Sequence, residues 1–467
     1  MVLSRIWSAF IIVAIVLASI KYIFSPNYQA IYNDMVVGRS GDTIAIATQP
    51  FHELNTGMQQ ELLKNPEFQE GTVHYRADSL RQSVEVYRIQ TADGVIGTSE
   101  TAVKICLGLI GIMTLFMGFM GIAEKAGGIN LLSRIIQPFF SRLFPEVPKN
   151  HPSFGHMMLN FSANLLGLDN AATPFGLKAM ESLQTLNPSK DTASNAQVMF
   201  LCLHASGLTL IPVSIIAIRA SMGSETPTDI FLPCLIATFA ATMAALIIVS
   251  FKQKINLFQP VVLAYIGGIS AIIAGLVVFL VQLSKEELDG FSKVLSNGII
   301  LLIFFAIVAG GVYKKINVFD AFIEGAKEGF WTCVKIIPYL VGMLIAISLL
   351  RTSGIFEMII DGMKFLASVS GADTRFVDGL PTALIKPLSG SGARGMMVDT
   401  MATFGADSFQ GRLAGVLQGS SDTTFYVIAV YFGAVGIRNI RYTVGAMLLA
   451  DLVGIITSIT LAYLFFG

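Results

Sequence analysis

Nine long apolar stretches constrain this chain more than any other feature of its sequence. A helix needs about 20 apolar residues to cross the roughly 30 Å hydrocarbon core of a membrane. Runs of that length lie at residues 6–24, 101–123, 193–220, 229–250, 259–282, 293–312, 333–350, 408–432 and 439–465. These runs are continuous and do not alternate apolar with polar residues, so they favour helices over a β-barrel. We therefore predict an all-α polytopic membrane protein with about nine transmembrane helices.

The composition agrees with this fold class. Of the 467 residues, 54% are hydrophobic and only 13% are charged, which is about half of the usual charged share of roughly 25%. So few charges cannot cover a water-facing surface. Lys plus Arg and Asp plus Glu are balanced at 31 each, so the chain has no excess of positive charge with which to bind nucleic acid.

The chain divides into five predicted regions. They are a first transmembrane helix at 1–24, a polar domain at 25–100, a first repeat at 101–255, a linker with one transmembrane helix at 256–291, and a second repeat at 292–467. A secretory signal peptide is the alternative for the first region. Its apolar run is longer than a typical signal core of about 7–15 residues and no A-x-A site follows, so we predict a retained anchor.

Residues 25–100 form the only sizeable polar stretch. Gly71–Tyr75 and Ser83–Ile89 partly alternate apolar with polar residues, which predicts a small domain that contains strands. Basic residues cluster in the short segments after the second, fourth, sixth and eighth apolar runs, and such clusters mark the cytoplasmic side. This pattern predicts a cytoplasmic N-terminus and places residues 25–100 and the C-terminus outside the cytoplasm. Arg219 and Arg351 lie at outer ends and are exceptions.

Short strings recur between the two halves of the chain. Val103–Ile105 returns as Val334–Ile336, and at the same offset Ile110–Met113 is similar to Val341–Leu344. Further along, residues 204–209 align loosely with residues 418–423. With one helix between them, the two halves would cross the membrane in opposite directions, which is an inverted repeat of the kind found in secondary transporters. Two unrelated helical bundles are the alternative.

The segment between the second and third runs predicts a re-entrant hairpin. His156–Leu166 has the pattern of a short helix, and Thr173–Pro174 predicts the N-cap and first turn of a second helix that ends at Leu186. Leu168–Ala172 forms the predicted tip. Each arm is about half as long as a membrane is thick. The polar residues of this hairpin that we predict to bind solute are Asn160, Asn164, Asp169, Asn170 and Thr173.

A counterpart occurs in the second half. Pro381–Pro387 leads into a tip of small residues at Leu388–Ala393, and Arg394–Ala402 is predicted to be a short helix. Small residues allow the backbone to approach a ligand closely, and the first amides of a helix favour an anionic or polar group. A flexible loop is the alternative for this tip. The residues predicted to bind solute are Ser389, Gly390, Ser391 and Arg394.

Polar residues interrupt the third and eighth apolar runs. The interruptions are His204, Ser206, Gly207, Thr209 and Pro212 in the third run, and Ser420, Ser421, Asp422, Thr423 and Thr424 in the eighth. Local unwinding there would supply oxygen ligands near the middle of the membrane, so we predict that Ser206, Thr209, Ser420, Thr423 and Thr424 bind solute. Hydrogen bonding within the helix is the alternative for each hydroxyl.

Two carboxylates lie inside apolar runs. A carboxylate in the middle of a membrane costs about 2.5–3.5 kcal/mol on insertion scales, so it is a functional candidate by default. Asp422 has polar neighbours, and we predict that it binds a coupling ion. Asp451 lacks such neighbours, and a structural partner is an equal alternative for it.

Several of these strings resemble known families. Asn160–Thr185, together with Leu143–Pro148, resembles the spore maturation A family. The strings that begin at Ile385, Gln418 and Tyr431 resemble the spore maturation B family. The chain thus looks like a fusion of the two, in which residues 25–100 are an insertion. The resemblance implies a nucleoside-recognition, or gate, domain in each half, similar to parts of concentrative nucleoside transporters and of ferrous iron transport protein B.

Together these features predict a secondary transporter in the bacterial inner membrane. Its site would lie between the tips at 168–173 and 388–393 and the interrupted runs at 204–209 and 420–424. A small polar or anionic solute would bind there, and Asp422 and Asp169 would bind Na⁺ or H⁺. The sequence contains no motif for a nucleophile, a metal cluster or a phosphate loop, so we predict neither an enzyme nor a cofactor.

Two alternatives remain open at this point. One is a membrane scaffold or envelope-maturation factor that carries nothing, and the other is a transporter of a lipid-linked substrate. The expected partners are the solute and the lipid bilayer, without nucleic acid. A homo-oligomer, and an envelope protein bound to residues 25–100, are both compatible with the sequence.

Overall fold

The protein is predominantly helical, with one small sheet near its N-terminus. The computed structural model describes residues 2–24, 29–51, 56–70, 73–78, 83–148, 151–165, 169–283, 285–369 and 373–467. The N-terminal elements are α1 (Val2–Phe24), α2 (Ile31–Val36), β1 (Gly38–Pro50), α3 (Thr56–Lys64), β2 (Glu67–Glu70), β3 (Val73–Asp78) and β4 (Ser83–Asp93). The polar region that follows the first apolar run therefore contains all four of these strands.

The four strands form one antiparallel sheet in the order β1-β4-β3-β2. The predicted strands at 71–75 and 83–89 correspond to β3 and β4, where Tyr75 lies opposite Val86. Val84 and Val86 alternate with Ser83 and Glu85 at the start of β4, which is the pattern of a strand with one buried face. Val84 packs with Leu62 of α3 and with Phe68, so the sheet and α3 share a small core of their own.

The described residues after the sheet are mostly helical, and their α-helices range from 6 to 35 residues in length. In chain order these are α4 (Val95–Lys125), α5 (Gly128–Leu143), α6 (Pro152–Leu165), α7 (Asp169–Leu186), α8 (Asn195–Ser206), α9 (Val213–Ser221), α10 (Phe231–Gln253), α11 (Pro260–Val281), α12 (Lys285–Tyr313), α13 (Val318–Thr352), α14 (Ile355–Val369), α15 (Leu380–Ile385), α16 (Gly390–Phe404), α17 (Phe409–Gly419), α18 (Thr424–Ala434) and α19 (Thr443–Phe466), with a short 3-10 helix at Arg375–Gly379.

Within the described residues, five helices are long and apolar enough to cross a membrane. They are Trp7–Phe24, Val95–Lys125, Phe231–Gln253, Pro260–Leu280 and Thr443–Phe466. The predicted runs at 293–312 and 333–350 fall in α12 and α13, whose apolar parts are shorter. The runs at 193–220 and 408–432 each fall on two short helices with a gap between them. The protein is thus a multi-pass helical membrane protein, and the count of nine spans stays a prediction.

Helices α4 and α13 form the most extensive helix pair, and glycines bring their backbones together. A Cβ added to Gly325 would lie 2.2 Å from the carbonyl oxygen of Met117, and one added to Gly329 would lie 2.6 Å from that of Met113. As the residue number rises by four in one helix it falls by four in the other, so the two helices run antiparallel. Close packing through small residues is the usual way in which membrane helices associate.

Two arginines are exceptions to the predicted clustering of basic residues on the cytoplasmic side, and both have acidic partners. Arg219, at the end of α9, is fully buried and lies 2.9 Å from Asp229 and 2.8 Å from Asp407. Nε of Arg351, at the end of α13, lies 2.8 and 3.0 Å from the two carboxylate oxygens of Asp399. Nη2 of the same arginine also donates to Oδ2 of Asp399. Since each guanidinium is paired within the fold, neither adds an unpaired positive charge to its end of the molecule.

The structure corrects both predicted hairpin tips. Helix α7 begins at Asp169, so Thr173 is not its N-cap and Pro174 lies inside the helix. Alanines 171 and 172 are strong helix formers, and an acidic first residue suits the partial positive charge of a helix N-terminus. Residues 166–168, which include the predicted helix end at Gly167, lie outside the described residues.

The second tip is also more helical than predicted. Helix α16 begins at Gly390 and not at Arg394. Ser389 is its N-cap, because the backbone there is extended and its hydroxyl accepts a hydrogen bond from the Gly392 amide at 3.0 Å. Serine is among the preferred N-cap residues. The small residues of this tip therefore form the first turn of a helix instead of an irregular loop.

Candidate functional site

A cavity of about 600 Å³ lies where four elements of the two halves meet. These elements are the α6–α7 pair, the gap between α8 and α9, the α15–α16 pair, and the gap between α17 and α18. Seven of the residues predicted from sequence to bind solute or a coupling ion line this cavity. They are Asn164, Thr173, Thr209, Gly390, Arg394, Asp422 and Thr423.

The first helix gap is held open by its own residues and by α6. Helix α8 ends at Ser206 because Gly207 adopts a left-handed conformation with φ of 62°, which costs glycine little. Pro212 then lacks an amide hydrogen and precedes α9. Within the gap, the amide of Leu210 donates a hydrogen bond to the carbonyl of Leu165 in α6 at 2.8 Å. A backbone hydrogen bond thus joins this gap to the end of α6.

The second helix gap contacts both the first gap and the second hairpin. The amide of Asp422 donates to the carbonyl of Ala205 in α8 at 2.7 Å, and the amide of Phe425 donates to the carbonyl of Pro387 at 2.9 Å. Gly390 packs so closely that an added Cβ would lie 2.6 Å from the hydroxyl of Thr423. The bond from Asp422 to Ala205 therefore joins the two halves, and the bond from Phe425 to Pro387 joins the second gap to the α15–α16 pair.

His204 lies at the end of α8, buried between the two halves. Its Nδ1 lies 3.0 Å from Oδ1 of Asn160 and 2.7 Å from Nδ2 of Asn164. On the opposite side of the ring, Nε2 lies 3.8 Å from Oδ2 of Asp422. The ring of Tyr431 meets it edge to face, with 4.9 Å between ring centroids. Sequence reasoning placed His204 in the interruption but did not select it as a binding residue.

Lys386 is the functional candidate that sequence reasoning missed. It follows α15, lines the cavity, and is only 5% exposed. No hydrogen bond or ion pair joins its ammonium group to another described residue. Arg394 lies on the next helix and lines the same cavity. The signal was present in the sequence, since a lysine between apolar residues of a membrane protein is costly to bury and marks a candidate site.

The other predicted binding residues with described side chains do not line the cavity but support its walls. Asn160 donates to the carbonyl of Ala172 at 2.6 Å, and Thr424 donates to Asp451 at 2.6 Å, so Asp451 has a structural partner. The remaining hydroxyls bond within their own helix ends. These are Ser206 to the Leu203 carbonyl, Ser420 to the Leu417 carbonyl, and Ser389 with Ser391 at the start of α16.

Two of the residues predicted to bind solute lie at the start of α7. The backbones of Asp169 and Asn170 belong to the first turn of α7, but their side chains lie outside the described part of the structure, so their roles stay predictions. Among the described residues, no three His, Cys, Asp or Glu side chains come together in an arrangement that could hold a metal ion. The chemistry of the cavity is therefore that of hydrogen bonding and of three charged groups, Lys386, Arg394 and Asp422.

Comparison with known proteins places the chain within a defined family. The family model for the Gate domain, described as nucleoside recognition, matches residues 106–251 and 333–438, which together make up more than half of the chain. The chain belongs to the nucleoside recognition (Gate) family. Each match contains one interrupted helix pair, and the cavity is formed where the two matched segments meet.

Two curated relatives come from Bacillus subtilis (strain 168). Spore maturation protein B is 47% identical over 173 residues, which are 37% of this chain and 96% of that protein. Spore maturation protein A is 41% identical over 156 residues, which are 33% of this chain and 80% of that protein. Each covers part of the chain, in agreement with a fusion of two such proteins. No solved structure matches the chain.

Proposed function

We propose that this protein is a secondary transporter of the bacterial inner membrane that carries a small anionic solute through the central cavity. One observation carries the proposal. Charged and polar side chains from both halves line a cavity at two helix interruptions, where a protein that serves only as a scaffold has no reason to bear their cost. The N-terminus would be cytoplasmic, and residues 25–100 and the C-terminus would lie outside.

The charges of the cavity indicate an anion. Two cationic side chains, Lys386 and Arg394, line the cavity, and Asp422 is the only carboxylate among its described lining residues. A buried ammonium group that makes no hydrogen bond or salt bridge to a described residue is costly, and an anionic group on the solute would offset that cost. A cavity of about 600 Å³ is in the ordinary range for sites that bind small molecules. Nucleosides, nucleotides and small organic acids are therefore the solutes to test first.

The proposed movement between two access states is supported by the order of the helices. The order of elements from α4 to α10 is repeated from α13 to α19, and the equivalent helices α4 and α13 pack antiparallel. Lys125 and Glu324 pair at one end of these two helices. The buried cluster around Arg219 joins α9, the segment before α10, and the start of α17. Rocking of one half against the other around a fixed site is the usual mechanism of transporters built in this way.

The proposal is tested first by solute binding. Purified protein in detergent is heated with a panel of nucleosides, nucleotides, carboxylates and inorganic phosphate, and bound solute raises the unfolding temperature by mass action. We expect an anionic member of the panel to stabilise the protein and expect Lys386→Met to abolish the effect. Lys314→Met, which removes an exposed lysine at the end of α12, serves as the control and should bind normally.

The second test is transport. The solute that stabilises the protein is loaded, radiolabelled, outside proteoliposomes, and its uptake is measured with wild type and with Asp422→Ala. We expect uptake by wild type and at least a tenfold loss in the variant, since an ion-binding carboxylate is removed. Absence of binding and uptake for every anion of the panel, or unchanged uptake in Asp422→Ala, would favour the scaffold alternative.

A further inference from the structure

The geometry around His204 points to the identity of the coupling ion. We propose that this ion is a proton, and that it binds to Nε2 of His204 facing the carboxylate of Asp422. The inference rests on the proposed function for its role in transport, but the proton site itself follows from the hydrogen bonds at Nδ1 and from the carboxylate that lies beside Nε2. It assigns a binding role to His204 and a positioning role to Asn160.

Asn160 determines which nitrogen of the neutral imidazole carries hydrogen. The amide nitrogen of Asn160 lies 2.6 Å from the carbonyl oxygen of Ala172. A carbonyl oxygen only accepts hydrogen bonds, so the NH₂ group of Asn160 must point toward it. Its Oδ1 is then fixed toward Nδ1 of His204, at 3.0 Å. Because Oδ1 also only accepts, Nδ1 must be the donor and must carry the hydrogen.

Asn164 does not oppose this assignment. It contacts the same Nδ1 at 2.7 Å, and its only described hydrogen bond is this one. Rotation of its amide group by half a turn exchanges nitrogen for oxygen and lets Oδ1 accept from Nδ1, while the NH₂ group turns into the cavity that Asn164 lines. Asn160 has no such freedom, since its other amide atom is committed to Ala172.

A neutral imidazole has one N–H group, so a hydrogen on Nδ1 leaves a lone pair on Nε2. That lone pair faces Oδ2 of Asp422 at 3.8 Å. Two acceptors directed at each other repel, and a proton bonded to Nε2 converts the contact into an ion pair. Na⁺ suits this place poorly because hard cations prefer oxygen ligands, and here one of the two facing atoms is an imidazole nitrogen.

The other charged and titratable groups around the pair explain how the proton would be coupled to solute. Those described on the surrounding elements are Lys386 after α15, Arg394 on α16, Cys234 on α10, Tyr426 and Tyr431 on α18, and Asp451 on α19. Without bound solute, the positive charges of Lys386 and Arg394 would disfavour an additional positive charge on His204. An anionic solute bound to them removes that opposition, so solute and proton each increase the affinity for the other.

Proton binding would also join the two halves of the molecule. His204 belongs to α8 of the first half, and Asp422 lies in the helix gap of the second half, where its amide already donates to the carbonyl of Ala205. Protonation adds an ion pair to this contact, and loss of the proton removes it. The pair is therefore placed to favour one access state when both proton and solute are bound.

The proposal is tested by ¹⁵N NMR of histidine-labelled protein in lipid nanodiscs, which needs no solute. The chain has 5 histidines, and the His204 signal is the one lost in His204→Gln. We expect the neutral form to carry hydrogen on Nδ1. In Asp422→Asn the ratio of doubly protonated to neutral His204 at a given pH should fall at least about tenfold, because an opposite charge at this distance is removed. Asp320→Asn, an exposed carboxylate at the start of α13, should leave the ratio unchanged.

A matched pair of asparagine variants tests the positioning role. Asn160→Ala should introduce the neutral form with hydrogen on Nε2, whereas Asn164→Ala, four residues away on the same helix, should keep hydrogen on Nδ1. A neutral wild-type form with hydrogen on Nε2, an unchanged ratio in Asp422→Asn, or a His204 signal that moves when NaCl replaces choline chloride would overturn the proton site. None of these results would disprove solute transport, which the uptake assay measures separately.

Discussion

The packing of α4 against α13 offers a quantitative test of the framework that holds the cavity. Gly325→Ala places a Cβ 2.2 Å from the carbonyl oxygen of Met117, and Gly121→Ala places one 2.7 Å from the carbonyl oxygen of Ala321. Backbone atoms of a packed helix cannot move aside as a flexible side chain can. Gly111, also in α4, has no atom within 4 Å of its added Cβ, so Gly111→Ala is the control.

The expected magnitudes follow from two opposing effects. In the middle of a helix, alanine is more favourable than glycine by about 1 kcal/mol, and Gly111→Ala should show this gain alone. At Gly325 the two helices must separate by about 1 Å to restore ordinary contact, and overpacking of this kind costs about 1–3 kcal/mol. The helix-propensity gain applies to both variants and cancels, so we expect Gly325→Ala to be less stable than Gly111→Ala by about 1–3 kcal/mol, with Gly121→Ala between them.

The measurement is the free energy of unfolding, obtained by titrating SDS into protein held in mixed lipid–detergent micelles and following circular dichroism. The three variants share one substitution, so differences in the unfolded state are small. The close contact of α4 with α13 would be refuted if all three glycine variants were equally stable. It would also be refuted if Gly121→Ala were the most stable of the three.

Three further outcomes are expected. Asp229→Asn should destabilise the protein by about 3–5 kcal/mol because it removes the buried carboxylate that pairs with both Arg219 and Arg412, whereas Glu324→Gln, at an exposed pair, should cost at most about 1 kcal/mol; the same SDS titration measures both. Gly176→Ala would place a Cβ 2.4 Å from the ring of Tyr431, so the fluorescence or NMR signal of that tyrosine should shift, and an unchanged signal would contradict the contact. Alkaline phosphatase fused after Gly467 should be active, and an inactive fusion would contradict the predicted orientation.

Much of the architecture follows from local properties of the chain. The apolar runs predicted a multi-pass helical protein, and the structure together with the family confirms that class. The polar residues from His204 to Pro212 and from Ser420 to Thr424 lie where the structure interrupts two helices. Glycine, proline and clustered hydroxyls act on the backbone within a few residues of themselves, so their effect is visible in sequence.

The hairpin tips were less predictable. Thr173–Pro174 has the pattern of a helix start, but α7 begins at Asp169, because a helix tolerates a proline near its N-terminus at the cost of one hydrogen bond. The glycines around Ser389 suggested a loop, yet the structure uses them for close packing against Thr423 and other side chains. Such packing depends on distant parts of the chain, which a local pattern does not report.

The sequence by itself determined the fold class, the family, the places where helices break, and most of the polar residues that line the cavity, because each of these depends on the cost of placing a residue type in a membrane or on backbone preference. Only the tertiary structure decided that Asp422 faces His204, that Asn160 orients that imidazole, and that Lys386 is buried beside the cavity. These relations join residues that are far apart in sequence. They arise from the packing of the two halves against each other, in which the distance along the chain says little about the distance in space.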